Sequence, residues 1–155
     1  MEFKSLESLA MHLGGLESAI TEQLHGSLEK CAARVEKTAK AEIGTYQAGI
    51  GDFPAWAALA SSTEAAKDKA GYPENSPLLA TGEMRDSIQR KVYGDEAIIF
   101  SSDDKMVYHE FGTPKMPARP VMGPAVLRSK EYIERQLGQA VIRGLVGRMP
   151  RNFNR

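Results

Sequence analysis

From Leu16 to Ile43 the apolar positions Leu16, Ile20, Leu24, Leu28, Cys31, Val35 and Ile43 recur at steps of mostly three and four. That spacing predicts a long helix with one apolar stripe. Its other face carries Glu17, Glu22, Glu29, Lys30, Glu36, Lys37 and Lys40. Gly14-Gly15 is expected to separate it from a shorter piece, Phe3 to Leu13, read as a small helix or an arm. Residues 44–80 are punctuated by Gly44, Gly49, Gly51, Gly71, Pro54, Pro73 and Pro77, and lose the period. Within them a short helix is predicted from Ser62 to Ala70, capped by Ser62 or Thr63. An irregular stretch this long is expected to be functional or packed, with Trp56 as its anchor.

The period then changes. Ser87–Tyr93 and Glu96–Ser101 flank Gly94-Asp95, a two-residue hairpin signal. Ala97-Ile98-Ile99-Phe100 is continuously apolar, which predicts a strand buried on both faces. The first strand, with Arg90 and Lys91, is expected to be partly exposed. Ser101 to Asp104 read as a turn or cap for a short Lys105–Glu110 helical turn. Pro114, Pro117 and Pro120 sit three apart, the polyproline II period, and predict a stiff extended strap. A P-x-x-P ligand is the alternative. A second helix is expected from Ala125 to Val146, with Val126, Ile133, Leu137, Ala140, Val141 and Leu145 on its apolar side.

The expected fold is α+β: a long N-terminal helix, an antiparallel sheet of about three to four strands, and a C-terminal helix packed on the sheet. The expected organisation is an N-terminal arm or short helix over 1–15, one domain over 16–147, and a basic tail over 148–155. At 155 residues the chain fits one domain with its own core.

Charge alters the picture only when read by segment. The 20 Lys and Arg balance the 20 Asp and Glu, which removes the usual case for a dedicated nucleic-acid binder. Residues 1–75 hold 7 bases and 11 acids, whereas 135–155 hold Arg135, Arg143, Arg148, Arg151 and Arg155 and no acid. Such an end is either a solvated helix terminus that suits cations or a docking arm for an acidic surface, a second copy included. The first residues show no cationic segment followed by an apolar run, and no stretch nears the roughly 18 apolar residues of a membrane span. A soluble protein is expected, with no membrane partner. The single cysteine, Cys31, excludes an intrachain disulfide and is read as a buried hydrophobe.

Motifs for catalysis fail one by one. His109-Glu110 opens like H-E-x-x-H, but Phe111-Gly112-Thr113 follow and the second zinc ligand is missing. No phosphate-cradling glycine loop and no G-x-S-x-G elbow occur. Asp103, Asp104 and Glu110 are the one carboxylate set that could gather a divalent ion, and the two aspartates are better read as turn and cap residues. His12 and His25 lack a metal-spaced partner. No enzyme, cofactor or metal site is expected.

Four blocks, in order, resemble a known family. Trp56-Ala57-Ala58-Leu59 precedes Thr63 and Lys67, and Pro77-Leu78-Leu79-Ala80-Thr81-Gly82-Glu83-Met84-Arg85-Asp86-Ser87-Ile88 follows. Tyr108-His109-Glu110-Phe111-Gly112 and Met116-Pro117-Ala118-Arg119-Pro120-Val121-Met122-Gly123-Pro124 complete the set. Together they are similar to the virion morphogenesis family of tailed bacteriophages, the Mu-type and related tail-completion or head–tail joining proteins. Met84 stands where leucine is commoner in that family, and Val121 where an aromatic is usual. The likeness spans roughly residues 53–128.

The resemblance implies a structural virion protein of the tail end or neck. Such a protein forms a ring, often a hexamer, that completes the tail and joins it to the head connector. Implied partners are other copies of the chain, the tail tube protein and the neck or connector proteins, with DNA only passing through the lumen. The implied location is the virion, and the host cytoplasm during assembly. Expected contact residues are Trp56, Thr81, Gly82, Arg85, His109, Glu110, Phe111, Pro117, Arg119, Pro120, Arg148 and Arg151. Phe111 is expected to be an apolar anchor, and His109 a hydrogen-bonded packing residue. Arg119 is expected to pair with Glu110 or with a carboxylate of an adjacent subunit. The alternatives are a nucleic-acid-handling protein, such as a DNA binder or small nuclease in packaging, and a transient tail-assembly chaperone.

Overall fold

A computed structural model describes residues 3–146. The elements run α1 (Leu6–Glu42), α2 (Ser61–Lys69), α3 (Glu83–Asp86), β1 (Ile88–Tyr93), β2 (Glu96–Ser101), α4 (Lys105–Phe111) and α5 (Met122–Val146). The architecture is α+β, with a long N-terminal helix, an antiparallel hairpin and a long C-terminal helix.

Helix α1 is continuous through Gly14-Gly15, against the expected break there. Two glycines cost about 1 kcal/mol each relative to alanine, and a helix of 37 residues absorbs that. It starts with a reciprocal cap: Ser5 Oγ accepts from Ser8 N at 3.1 Å, and Ser8 Oγ accepts from Ser5 N at 3.2 Å. Helix α2 starts at Ser61 with Ala60 as N-cap and no side-chain bond, so neither Ser62 nor Thr63 caps it.

The hairpin pairs Ile88 with Ser101 through Tyr93 with Glu96, as the Gly94-Asp95 turn predicts. Among the described residues the sheet has these two strands rather than three or four. It lies on α1, tied by Arg90 to Glu36 and by a 3.1 Å contact between His25 Nδ1 and the Gly94 carbonyl. Because α1 covers one face only, β2 alternates instead of being buried throughout. Ala97, Ile99 and Ser101 are half-buried, while Ile98 and Phe100 are 47% and 37% exposed.

Helix α5 packs chiefly along α1 and shares its core with the strands, where Ala125 and Ile133 join Ile88 and Ile99. Small residues let the two approach: Ala32 and Ala39 face the region of Ala125, Ser129, Ala140 and Gly144, all buried. A Cβ at Gly144 would lie 2.7 Å from Ile20 Cα, so only glycine fits there. The joint core comprises Val35, Ala39, Ile43, Trp56, Met84, Ile88, Met106, Val121 and Ala125, with Ile99 and Ile133 packed against it. Cys31 is buried on the apolar stripe, as expected. No helix is long and apolar enough to cross a membrane among the described residues.

Candidate interaction site

The segment from α4 to α5 is held by side chains whose partners are backbone groups. Glu110, near the end of α4, aims its carboxylate at the first turn of α5. It accepts from Val121 N at 2.8 Å, Met122 N at 3.2 Å and Gly123 N at 3.4 Å. The first amides of a helix have no intrahelical partner and carry positive partial charge, so a carboxylate there satisfies both needs. Within the chain Glu110 is thus the cap of α5 and not the partner of Arg119.

Arg119 is 5% exposed, and within the chain its guanidinium meets backbone carbonyls in place of the expected Glu110 carboxylate. Its Nη2 donates to the carbonyls of Ala57 and Ala58 at 3.0 and 3.1 Å, and its Nε to Ala57 at 3.3 Å. Its backbone N donates to the His109 carbonyl at 2.7 Å. One residue on, the Pro120 carbonyl accepts from Trp56 Nε1 at 3.1 Å. Trp56 is buried, the anchor the sequence predicts. Three blocks distant in sequence are thereby knotted together.

The strap itself is not extended throughout. Thr113 and Met116 exchange backbone hydrogen bonds at 2.9 and 3.0 Å, closing a tight turn around Pro114. Gly112 leads into it at φ 73°, and a Cβ there would sit 2.8 Å from Ala118 N. His109 is half-buried, yet its Nδ1 is buried without a hydrogen-bond partner, which corrects the expected satisfied histidine. Burial, and secondarily the charge of Arg119, lowers its pKa below the usual imidazole value.

Beside this knot lies an open cavity of about 530 Å³. Its walls come from α2, the Leu78–Met84 segment, α4 and the strap, and include Thr81, Gly82, His109, Pro117 and Arg119. Leu59, Leu78, Met84 and Met116 make it largely apolar. Lys67, 9% exposed, closes one side by donating to the carbonyls of Ser76 and Leu79. Leu78 adopts φ 63°, a strained value for a bulky side chain. Thr81 Oγ1 accepts weakly from Glu83 N at 3.4 Å, and Gly82 is buried at φ 91°. Arg85 points away to Asp86, at 2.9 Å on the surface.

Helical spacing divides α4 into three sides. Met106 and Glu110 face inward, Lys105 and His109 face the cavity, and Val107, Tyr108 and Phe111 face out. Phe111 is 80% exposed, so it anchors nothing within the chain itself, and Val107 and Tyr108 are each 57% exposed. Of the expected contact residues, Trp56, Gly82, Arg119 and Pro120 are buried within the chain, whereas Thr81, Phe111 and Pro117 are exposed. Arg148 and Arg151, with the basic tail, lie outside the described residues. Sequence reasoning picked out Lys67 in the first block but not its bonds to Ser76 and Leu79, and it missed the cavity, because the cavity walls adjoin only after folding.

A second charged pair joins α1 to α5. Glu42, 3% exposed, meets Arg128 Nη1 at 2.7 Å, while its Oε2 has no partner. Burial raises its pKa to about 7 against the opposing pull of Arg128, with Glu110 adding a smaller upward push. Among the described residues no three metal-ligating side chains gather. No family model, curated protein or solved structure matches the chain.

Proposed function

We propose that this chain is a structural protein of a tailed-phage virion. It works at the tail end or neck as a ring of identical subunits that completes the tail and joins it to the head connector. The observation that carries the reading is the outer side of α4. Phe111, Val107 and Tyr108 stand in solvent on a helix fixed from beneath by Glu110 and by the backbone bond from Arg119 to His109. A rigid apolar ridge of this kind serves contact between macromolecules, since large apolar side chains left exposed together mark interaction surfaces.

The four blocks that resemble the morphogenesis family support the same reading. Their polar residues make hydrogen bonds to backbone that shape this ridge and the adjoining cavity. The subunit contact is head-to-tail, as a ring requires, so the ridge meets a different surface of the next copy. Further partners are the tail tube protein and the connector or neck proteins, with DNA passing through the lumen. The protein acts in the virion and in the host cytoplasm during assembly, by contact alone and without a cofactor. Negative-stain images of the purified chain test this: rings support it. Monomers at high concentration, together with normal tails from a deletion mutant, contradict it.

A further inference from the structure

Two features at opposite ends of α1 fit each other. The first is the N-terminal part of the helix. No residue from Phe3 to Gly26 is buried, and Leu6, Met11 and Leu13 are 85%, 69% and 55% exposed. Leu6, Leu9, Ala10 and Leu13 recur at the i, i+3, i+4, i+7 spacing by which a helix lays an apolar face into a groove. The Ser5–Ser8 cap holds these turns helical. From Ser5 to Glu29 the helix carries Glu7, Glu17, Glu22 and Glu29 and no Lys or Arg.

The second is the cavity beside α4, apolar within and bearing Lys67, Lys105, Lys115 and Arg119 against the single carboxylate Glu83. It lies at the other end of α1. Gly44, directly after that helix, bonds through its N to the Pro77 carbonyl at 2.8 Å, and its Cβ position would meet the cavity residue Leu79. A helix of 37 residues is about 55 Å long, so the N-terminal turns do not reach the cavity of their own chain.

We infer that the N-terminal turns of α1 of one copy seat in the cavity beside α4 of a second copy. Leu6, Leu9 and Leu13 enter the apolar floor, the helix side lies against the Phe111 ridge, and Glu7 and Glu17 face Lys105 and Lys115. The occupant follows from shape and charge: an acidic apolar helix for a cationic apolar hollow. The contact uses two different patches of one surface and leaves one of each free, so it propagates until a ring closes. This rests on the proposed assembly reading and gives it a named joint.

The test uses the full chain, a tip variant and two cavity variants, followed by sedimentation velocity. Leu6→Asp with Leu13→Asp alters exposed positions of the tip. Ala66→Trp fills the cavity, with Lys105→Glu plus Lys115→Glu as a second cavity variant should the first fail to fold. Far-ultraviolet circular dichroism and melting temperature check folding, with Trp56 emission added for the variants that introduce no second tryptophan. Each variant alone weakens association at least about tenfold, the scale of a lost hot spot. An equimolar mixture of tip and cavity variants regains pairs and stops there, because each copy supplies one working half. Wild-type oligomers that either variant leaves intact overturn the inference while the assembly reading stands. A cavity variant that abolishes assembly beside a tip variant that does not assigns the cavity to another segment and also overturns it. A wild-type chain that is monomeric at every concentration overturns both.

Discussion

Glu110 holds the N–H of Val121 at 2.8 Å, and through it the end of α4 is fastened to the start of α5. The carboxylate serves as the cap of a helix it does not belong to. Everything between the two residues, including the turn at Thr113–Met116 and the buried Arg119, is closed into a loop by that contact.

Removing this cap has a definite consequence. Glu110→Ala leaves the first amides of α5 without their acceptor and lowers stability by about 1–3 kcal/mol. Glu110→Gln keeps an acceptor oxygen and loses less. Urea unfolding followed by circular dichroism measures both, and equal stability of all three chains contradicts the capping account.

Arg119 and Trp56 form a second pair that one spectrum can read. Arg119→Lys retains the charge but lacks the planar fork that reaches Ala57 and Ala58 together. The expected loss is about 1–3 kcal/mol, with a red shift of the emission of Trp56, the one tryptophan. An unchanged spectrum would show that the arginine does not position this segment.

Stability against pH carries two opposed contributions. Glu42 has a folded pKa of about 7, above its ordinary 4.5, chiefly through burial. The folded state therefore holds a proton the unfolded chain releases, and this contribution falls as pH rises from about 4.5 to 7. His109 has a lowered pKa, so its contribution is full above the ordinary 6.5 and is lost as pH falls through the folded value. Glu42→Gln leaves stability rising with pH, and His109→Asn leaves it falling. Thermal melts at intervals between pH 4.5 and 7.5 separate them, and parallel profiles for both variants and the parent would refute the assignment.

Cys31 is buried, and burial raises its thiol pKa, which withholds the reactive thiolate. A thiol reagent is expected to label it in native buffer at least about tenfold more slowly than in denaturant. Equal rates would place Cys31 at the surface.

What the sequence made legible was local. The three-and-four spacing marked α1, and Gly94-Asp95 marked the hairpin with its register, because helix period and turn chemistry act over a few neighbours. Gly14-Gly15 misled since a glycine only weakens a helix, and the rest of α1 carries it across. The buried reading of Ile98 and Phe100 failed because composition does not say how many layers cover a strand. The functions of Glu110, Arg119 and Lys67 were hidden for a different reason. Each satisfies backbone groups supplied by segments between 9 and 62 residues away, and no spacing rule encodes such a partner. Three of the motif blocks meet where Trp56, His109, Arg119 and Pro120 bond to one another's segments, and Phe111 stands beside them in solvent.

The central claim is that the outer side of α4 joins copies of this chain. Sedimentation velocity of the full chain and of Phe111→Asp, over a range of concentrations, addresses it most directly. The account predicts one closed oligomer for the parent chain, and a monomer for the variant with an unchanged melting temperature, since Phe111 is 80% exposed. A parent chain that stays monomeric throughout, or a Phe111→Asp chain that assembles as the parent does, would contradict it.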